Sequence, residues 1–193
     1  MLAITIIVLG LVALALVYGV VIYNNLVRIK HNVSLAWSNI DVLLRQRHDE
    51  LPKLVETCKQ YKEFEQATLE RVTQARGQVQ QAREKGDIAA LGIAETALRG
   101  GLGQLFAVVE AYPDLKANAH FMQLLQRITS LENTIADRRE LYNDSVNINN
   151  VAIEQFPDSI VAGMFNFRRA QLLQFSAEET RDVDVKALFG SHA

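Results

Sequence analysis

Cysteine occurs once in the 193 residues, as Cys58, which excludes an internal disulfide framework and any multi-thiolate zinc cluster. Proline occurs 3 times and glycine 10 times, too few for a collagenous, Pro-rich or linker-dominated chain. Neither charge is in clear excess: Lys plus Arg is 20, Asp plus Glu is 22, and the formal charge is −2. A general nucleic-acid binder would carry a basic surplus, so no nucleic-acid partner is expected. The most informative absence is local. No Asp, Glu, Lys or Arg precedes Arg28.

Residues 1–23, MLAITIIVLGLVALALVYGVVIY, therefore form one uncharged apolar run. As a helix it would reach roughly 34 Å, enough to cross the hydrocarbon core. A cleaved secretory signal is the competing reading. The run lacks a basic leading segment, exceeds a normal signal core, and holds its small-x-small pair (Ala13, Ala15) in its interior. A retained anchor over 1–25 is expected, contacting the bilayer through 1–23, with Tyr18 and Tyr23 suited to an interfacial belt. Arg28 and Lys30 follow the span, and this favours a cytoplasmic over a periplasmic location for the rest of the chain.

From Leu26 the apolar positions Leu26, Val33 and Ile40, with Ile29, Ala36, Leu43 and Leu44, trace a heptad-like stripe. No Gly or Pro separates this stripe from the span, so one continuous helix is expected. Asp49 with Pro52 reads as a fresh helix start, because proline is tolerated in a first turn. A second helix then carries Leu54, Cys58, Tyr61, Glu65, Thr68, Val72, Ala75 and Val79, ending near Gly86. Asp87 caps a third helix with the seam Leu91, Glu95, Leu98, Leu102, Leu105 and Val109. Asn118 caps a fourth, carrying Phe121, Leu124, Ile128, Leu131, Ile135, Arg138, Tyr142, Ser145 and Asn149. No run of alternating β-branched residues suggests a strand. The fold expected is all-α, a transmembrane helix running into a long antiparallel four-helix bundle over 26–157. Residues 158–193 lose the heptad and read as a partly disordered tail, with Ser176-x-x-Glu179 as a capping-box match.

No catalytic, cofactor or metal site is expected. The four histidines form neither a His-x-x-x-His nor a Glu-x-x-His pair. Gly101-x-Gly103 has no preceding strand and no P-loop lysine, so close helix packing or bending explains it better. Cys58 sits on an apolar stripe and reads as a packed thiol. What stands out is polar groups on apolar seams: Glu65, Glu95, Glu132 and Arg138, with Arg139, Asn143 and Asn149 nearby. Unpaired buried charges are costly, so an internal ionic and amide network is preferred to a functional polar groove. For Glu132 the candidate partners are Arg138, Arg139 or the partner of Glu65. Trp37 is a candidate contact on the first helix. The basic cluster Arg45-x-Arg47-His48 reads as a solvated helix end beside Asp49 and Glu50.

The stretches YNNLVRIKHNVSLAWSNIDVLLRQRHDELPKLVETCKQY, EAYPDLKANAHF and ENTIADRRELYNDSVNINNVAIEQFP resemble the LemA family. The resemblance runs over residues 1–170 in family order and includes Asn25, Trp37, Asp49, Pro52, Glu65, Tyr112, Pro113, Asn118, Glu132, Tyr142, Asn143 and Pro157. It departs at His120, where the family usually has Asn, and at Gln46, where it often has Arg. It implies a bacterial inner-membrane protein with one N-terminal span, a helical bundle, no established enzymatic activity and no added effector domain. The function expected is a non-enzymatic scaffold or adaptor, working by self-assembly or by docking a membrane partner, with a membrane protease among the candidates. A membrane-organising or remodelling role is the alternative, and an unrecognised enzyme a more remote one.

Overall fold

The computed structural model describes residues 1–61 and 64–174. The chain is all-α. The helices are α1 (Leu2–Lys59), α2 (Gln66–Lys85), α3 (Ile88–Val109), α4 (Pro113–Ala117), α5 (Ala119–Ala152) and α6 (Asp158–Met164), and no strand occurs among the described residues. The Ser176–Glu179 match and His192 lie outside the described residues.

The expected break at Asp49–Pro52 does not occur. Helix α1 is 58 residues long and carries Pro52 in its interior. Proline there removes one backbone hydrogen bond and crowds the preceding turn, at a cost of about 3 kcal/mol. Leu51, Leu54 and Cys58 are fully buried around it, and each large apolar side chain contributes about 1.5–3 kcal/mol. Burial outweighs the local penalty. The chain turns instead at 60–65, where Tyr61 N–H donates to the Cys58 carbonyl and Phe64 N–H to the Tyr61 carbonyl. No Gly or Pro marks this turn. It is held by Phe64, buried and packed on Tyr112 with ring centroids 5.3 Å apart. Helix α2 is consequently 20 residues long, and Glu65 is its extended N-cap residue, not an interior seam position.

The described residues divide into two compact units, one of residues 1–49 with 126–172, the other of 50–61 and 64–125 with 173–174. In the first unit α1 and α5 run antiparallel. Leu26 and Ala152 share one apolar cluster, Trp37 packs at a tilt against Tyr142, and Arg47 meets Glu132, so numbers rise along one helix as they fall along the other. Ile40, Leu44, Ile128, Ile135, Tyr142 and Val146 are buried. The α5 seam departs from expectation after Ile135: Arg138 is exposed and Arg139 takes the half-buried position, with Val146 buried where Ser145 was expected.

Residues 158–172, expected to begin the tail, are tied to this unit. After α6 the chain returns along α5, where the Asn150 side chain donates to the Ala170 carbonyl (3.0 Å) and accepts from the Ala170 N–H (2.9 Å). The Tyr142 hydroxyl donates to the Gln171 carbonyl at 2.8 Å. Side-chain amides of α5 thus satisfy backbone groups that have no helix or sheet of their own.

In the second unit α2 and α3 form an antiparallel hairpin. Gly86 takes the left-handed conformation (φ +66°) expected of a helix C′ residue, and the Asp87 carboxylate accepts from Ala90 N–H at 2.9 Å. Gly101 lets the helices approach, since a Cβ there would lie 3.3 Å from Val72 Cγ2. Asn118 caps the start of α5 by accepting from Phe121 N–H at 3.1 Å.

Burial pushes the Cys58 thiol up to about 12. The folded thiol then keeps its proton where the unfolded one, near 9, has lost it, so this group's stabilising contribution is lost as pH rises through that window. In native protein at pH 8, iodoacetamide is expected to leave Cys58 unmodified, and urea-unfolded protein is expected to alkylate fully. Mass spectrometry showing equal labelling in both states would contradict the burial.

Candidate functional site

The residues singled out in the sequence do not converge on one site. Arg47 and Glu132 do meet: Arg47 Nη1 lies 2.6 Å from Glu132 Oε1, with side chains 1 % and 12 % exposed. Arg47 is thus the largest side chain that is fully buried, not part of a solvated helix end. The reason is the continuation of α1 through Pro52, which turns an expected terminus into a helix interior. Glu132 has a charged partner as expected, but that partner comes from α1 and not from the neighbouring arginines of α5. Arg45 stays on the surface, paired with Asp41 at 2.7 Å. Glu65 accepts from the Thr68 hydroxyl at 3.1 Å in its own first turn. Glu95 is buried on α3 in the second unit.

Above the ion pair, Trp37 is half-buried against Tyr142, with centroids 5.7 Å apart at 59°. The same Tyr142 holds the returning chain through its hydroxyl, and burial raises its phenol above the ordinary tyrosine value. Asn149 donates to the Arg168 carbonyl at 3.3 Å, while Asn143 is half-buried one residue from Tyr142. These groups fasten α1, α5 and the 165–172 segment together. They offer register and rigidity, not an open reactive centre.

The outer side of the same helix pair is different. Leu35 and Val42 on α1, and Leu141 and Ile148 on α5, are all at least half exposed. Each pair is seven residues apart, so each recurs on one helix face. A groove of about 400 Å³ runs along three of them, lined by Leu35, Ala36, Leu141 and Ile148, with the charged residues Arg138 and Asp144; Val42 lies outside its lining. The sequence contains this stripe, but the buried stripe beside it has the same period. Burial alone tells the two apart. Among the described residues no group of three or more His, Cys, Asp or Glu side chains could hold a metal ion.

Residues 1–18 of α1 are exposed throughout, and the apolar window has a mean hydropathy of 2.8. The features together define a membrane-type all-α protein: one helix long and apolar enough to cross a bilayer, continuous with a helix pair that carries a surface groove. The chain belongs to the LemA family, whose profile matches residues 36–187. It is similar to Protein LemA of Metamycoplasma hominis, 30 % identical over 86 % of this chain and 74 % of that protein. It is also similar to Magnetosome protein MamQ 2 of Paramagnetospirillum magneticum, 25 % identical over 79 % of this chain. Magnetosome protein MamQ of Magnetospirillum gryphiswaldense is 26 % identical over 77 % of the chain. The match spans 64 % and 63 % of these two magnetosome proteins, less than two thirds of their length. None of these names is an enzyme's name.

Proposed function

We propose that the protein is a membrane-anchored, non-enzymatic helical-bundle scaffold that assembles with further copies of itself through the α1–α5 groove. The observation that carries this reading is exposed Leu35 beside Leu141 and Ile148 in one groove, with Val42 continuing the exposed face of α1. A monomer gains nothing by presenting aliphatic side chains at helical spacing on two adjacent helices, whereas a second helix pair would bury them. Arg138 and Asp144, of opposite sign on one groove, suit a two-fold contact in which each meets its counterpart on the other copy. Tethering to one bilayer raises the effective concentration of copies, so a weak contact per molecule suffices. The proposal places the assembly in the inner membrane, with the bundle on the cytoplasmic side, following Arg28 and Lys30.

The test uses Cys58 as an internal blank. Because that thiol is buried and stays protonated, Leu141→Cys introduces the one reactive thiol of the chain. Oxidation in native membranes is expected to convert most of the protein to a disulfide dimer. Asn147→Cys, exposed on α5 outside the groove, is expected to give little. Equal dimer from both variants, or none from either, would exclude assembly through this face. Labelling the Leu141→Cys thiol with an impermeant maleimide in spheroplasts would reverse the orientation.

A further inference from the structure

The exit of the span meets α6 and the residues that follow it. Ile22 and Leu26 of α1 share an apolar cluster with Ala152 of α5 and Ala162 of α6. A hydrocarbon core of about 30 Å is crossed by roughly 20 helical residues, so Ile22 stands where the exposed run of α1 leaves it. Helix α6 therefore packs its Ala162 side against the span's exit and turns its other side outward. That outward side carries Ile160 and Met164, both exposed, and Phe156 (82 % exposed) just before the helix and Phe165 just after it are exposed too. Ile160 and Met164 lie four residues apart, on one face of α6. Asn166 takes the left-handed conformation (φ +57°) that closes α6, and Phe167 N–H donates back to the Ala162 carbonyl at 2.9 Å. This reversal brings Phe165 to 4.7 Å and Phe167 to 5.9 Å from the Tyr23 ring. Phe165 and Phe167 thus gather on the ring of Tyr23, next to the exposed Met164.

Charge at the same end is cationic. A groove of about 620 Å³ is lined by Tyr23, Lys30, His31, Phe165, Phe167 and Arg168, among others. Arg28, with a guanidinium that donates to Asn25 Oδ1 at 2.8 Å, lies one turn from it. Among the described residues, the carboxylates near this end include Glu154, which pairs with Arg169, and Asp158 at the start of α6. Among the described residues Lys30, Arg28 and Arg168 outnumber Asp158 there.

We propose that α6 and the segment following it form a second membrane contact, seated in the interface of an anionic bilayer. Phe156, Ile160, Met164 and Phe165 enter the boundary of the acyl chains, and Lys30, Arg168 and Arg28 face the phosphate headgroups above the groove. The inference rests on reading the apolar run of α1 as the span. An apolar face about 5–10 Å deep with basic residues at its edge is the arrangement of an interfacial helix. Here it is bolted to a span, so its depth is set by the contact of Ala162 with Ile22 and not by lipid affinity alone. Two anchors on one rigid unit would hold the α1–α5 pair at a defined angle to the membrane.

The experiment uses the full chain in vesicles at low protein-to-lipid ratio. Trp37 is the sole native tryptophan, about 22 Å along α1 from Ile22, and wild type serves as the reference for an indole outside the bilayer. The Trp37→Phe/Phe156→Trp variant carries its indole on the exposed position instead. In vesicles of phosphatidylcholine with one-third phosphatidylglycerol, lipids brominated on the acyl chains are expected to lower its emission about twofold and leave wild type unchanged. Quenching is expected to be weaker in pure phosphatidylcholine, and Lys30→Gln/Arg168→Gln is expected to remove that difference between lipids. An introduced indole that emits like wild type overturns the proposal. Quenching that is equal in both lipids overturns the headgroup contact. Carbonate extraction of the same vesicles reads the span separately: protein that is released shows that the span reading failed, whereas retained protein with an unquenched indole shows that the second contact failed.

Discussion

Glu132→Ala is expected to lower the melting temperature of the full chain in detergent by roughly 10 °C. The substitution removes the carboxylate 2.6 Å from Arg47 and leaves that guanidinium 1 % exposed to water. Breaking a buried pair by deleting one partner costs about 3–5 kcal/mol, because the remaining charge keeps its desolvation penalty and loses an ionic partner; Arg47 has a further interaction, which sets the cost at the lower end. For a chain of this size each kcal/mol shifts the midpoint by about 2–4 °C. The measurement is circular dichroism at 222 nm against temperature. The double variant Arg47→Met/Glu132→Leu is expected to recover most of the loss, since apolar side chains of similar volume need no partner there. A single variant that melts with wild type would mean that Glu132 does not neutralise a buried charge.

Gly92→Ala is expected to destabilise the second unit, although alanine is the better helix former by about 1 kcal/mol. A Cβ on Gly92 would overlap the Gln174 carbonyl oxygen and lie 3.1 Å from its carbon. These are backbone atoms and have no rotamer through which to retreat. The chain from Leu173, itself buried, must lift off α3. Such overpacking costs typically about 1–3 kcal/mol. The expected outcome is a lower melting temperature with faster tryptic cleavage after Arg168 or Arg169. Gly103→Ala, on the exposed side of the same helix with open space around it, is the control and is expected to stabilise by about 1 kcal/mol. If Gly92→Ala matches that control, the 173–174 segment does not lie on α3.

Much of the architecture was legible in the residues, for reasons that are local. The uncharged start, the apolar seam of α3, the Gly86 and Asp87 boundary and the Asn118 cap are each decided within a turn or two of chain. The seam residues Leu91, Leu98, Leu102, Leu105 and Val109 are buried as their spacing predicts. Where the reading departs from the structure, a local signal met a larger non-local term. Pro52 looks like a helix start because its own cost is local, while the burial of Leu51, Leu54 and Cys58 that outweighs it depends on residues far along the chain. The turn at 60–65 has no breaker residue, since it is held by Phe64 packing on Tyr112, 48 positions away.

The sequence by itself determined that the protein is helical, that its first 23 residues suit a bilayer and that it belongs with LemA proteins. Hydrophobic period, capping residues and absence of charge are properties of neighbouring positions, and they carry across from sequence to structure without knowledge of the fold. Only the tertiary structure decided that Arg47 is interior and paired with Glu132, that Leu35, Val42, Leu141 and Ile148 are left uncovered, and that α6 comes back to the span. Those outcomes depend on which faces of distant segments meet. Two stripes of equal period are equivalent along the chain, and become core or surface only when another helix covers one of them.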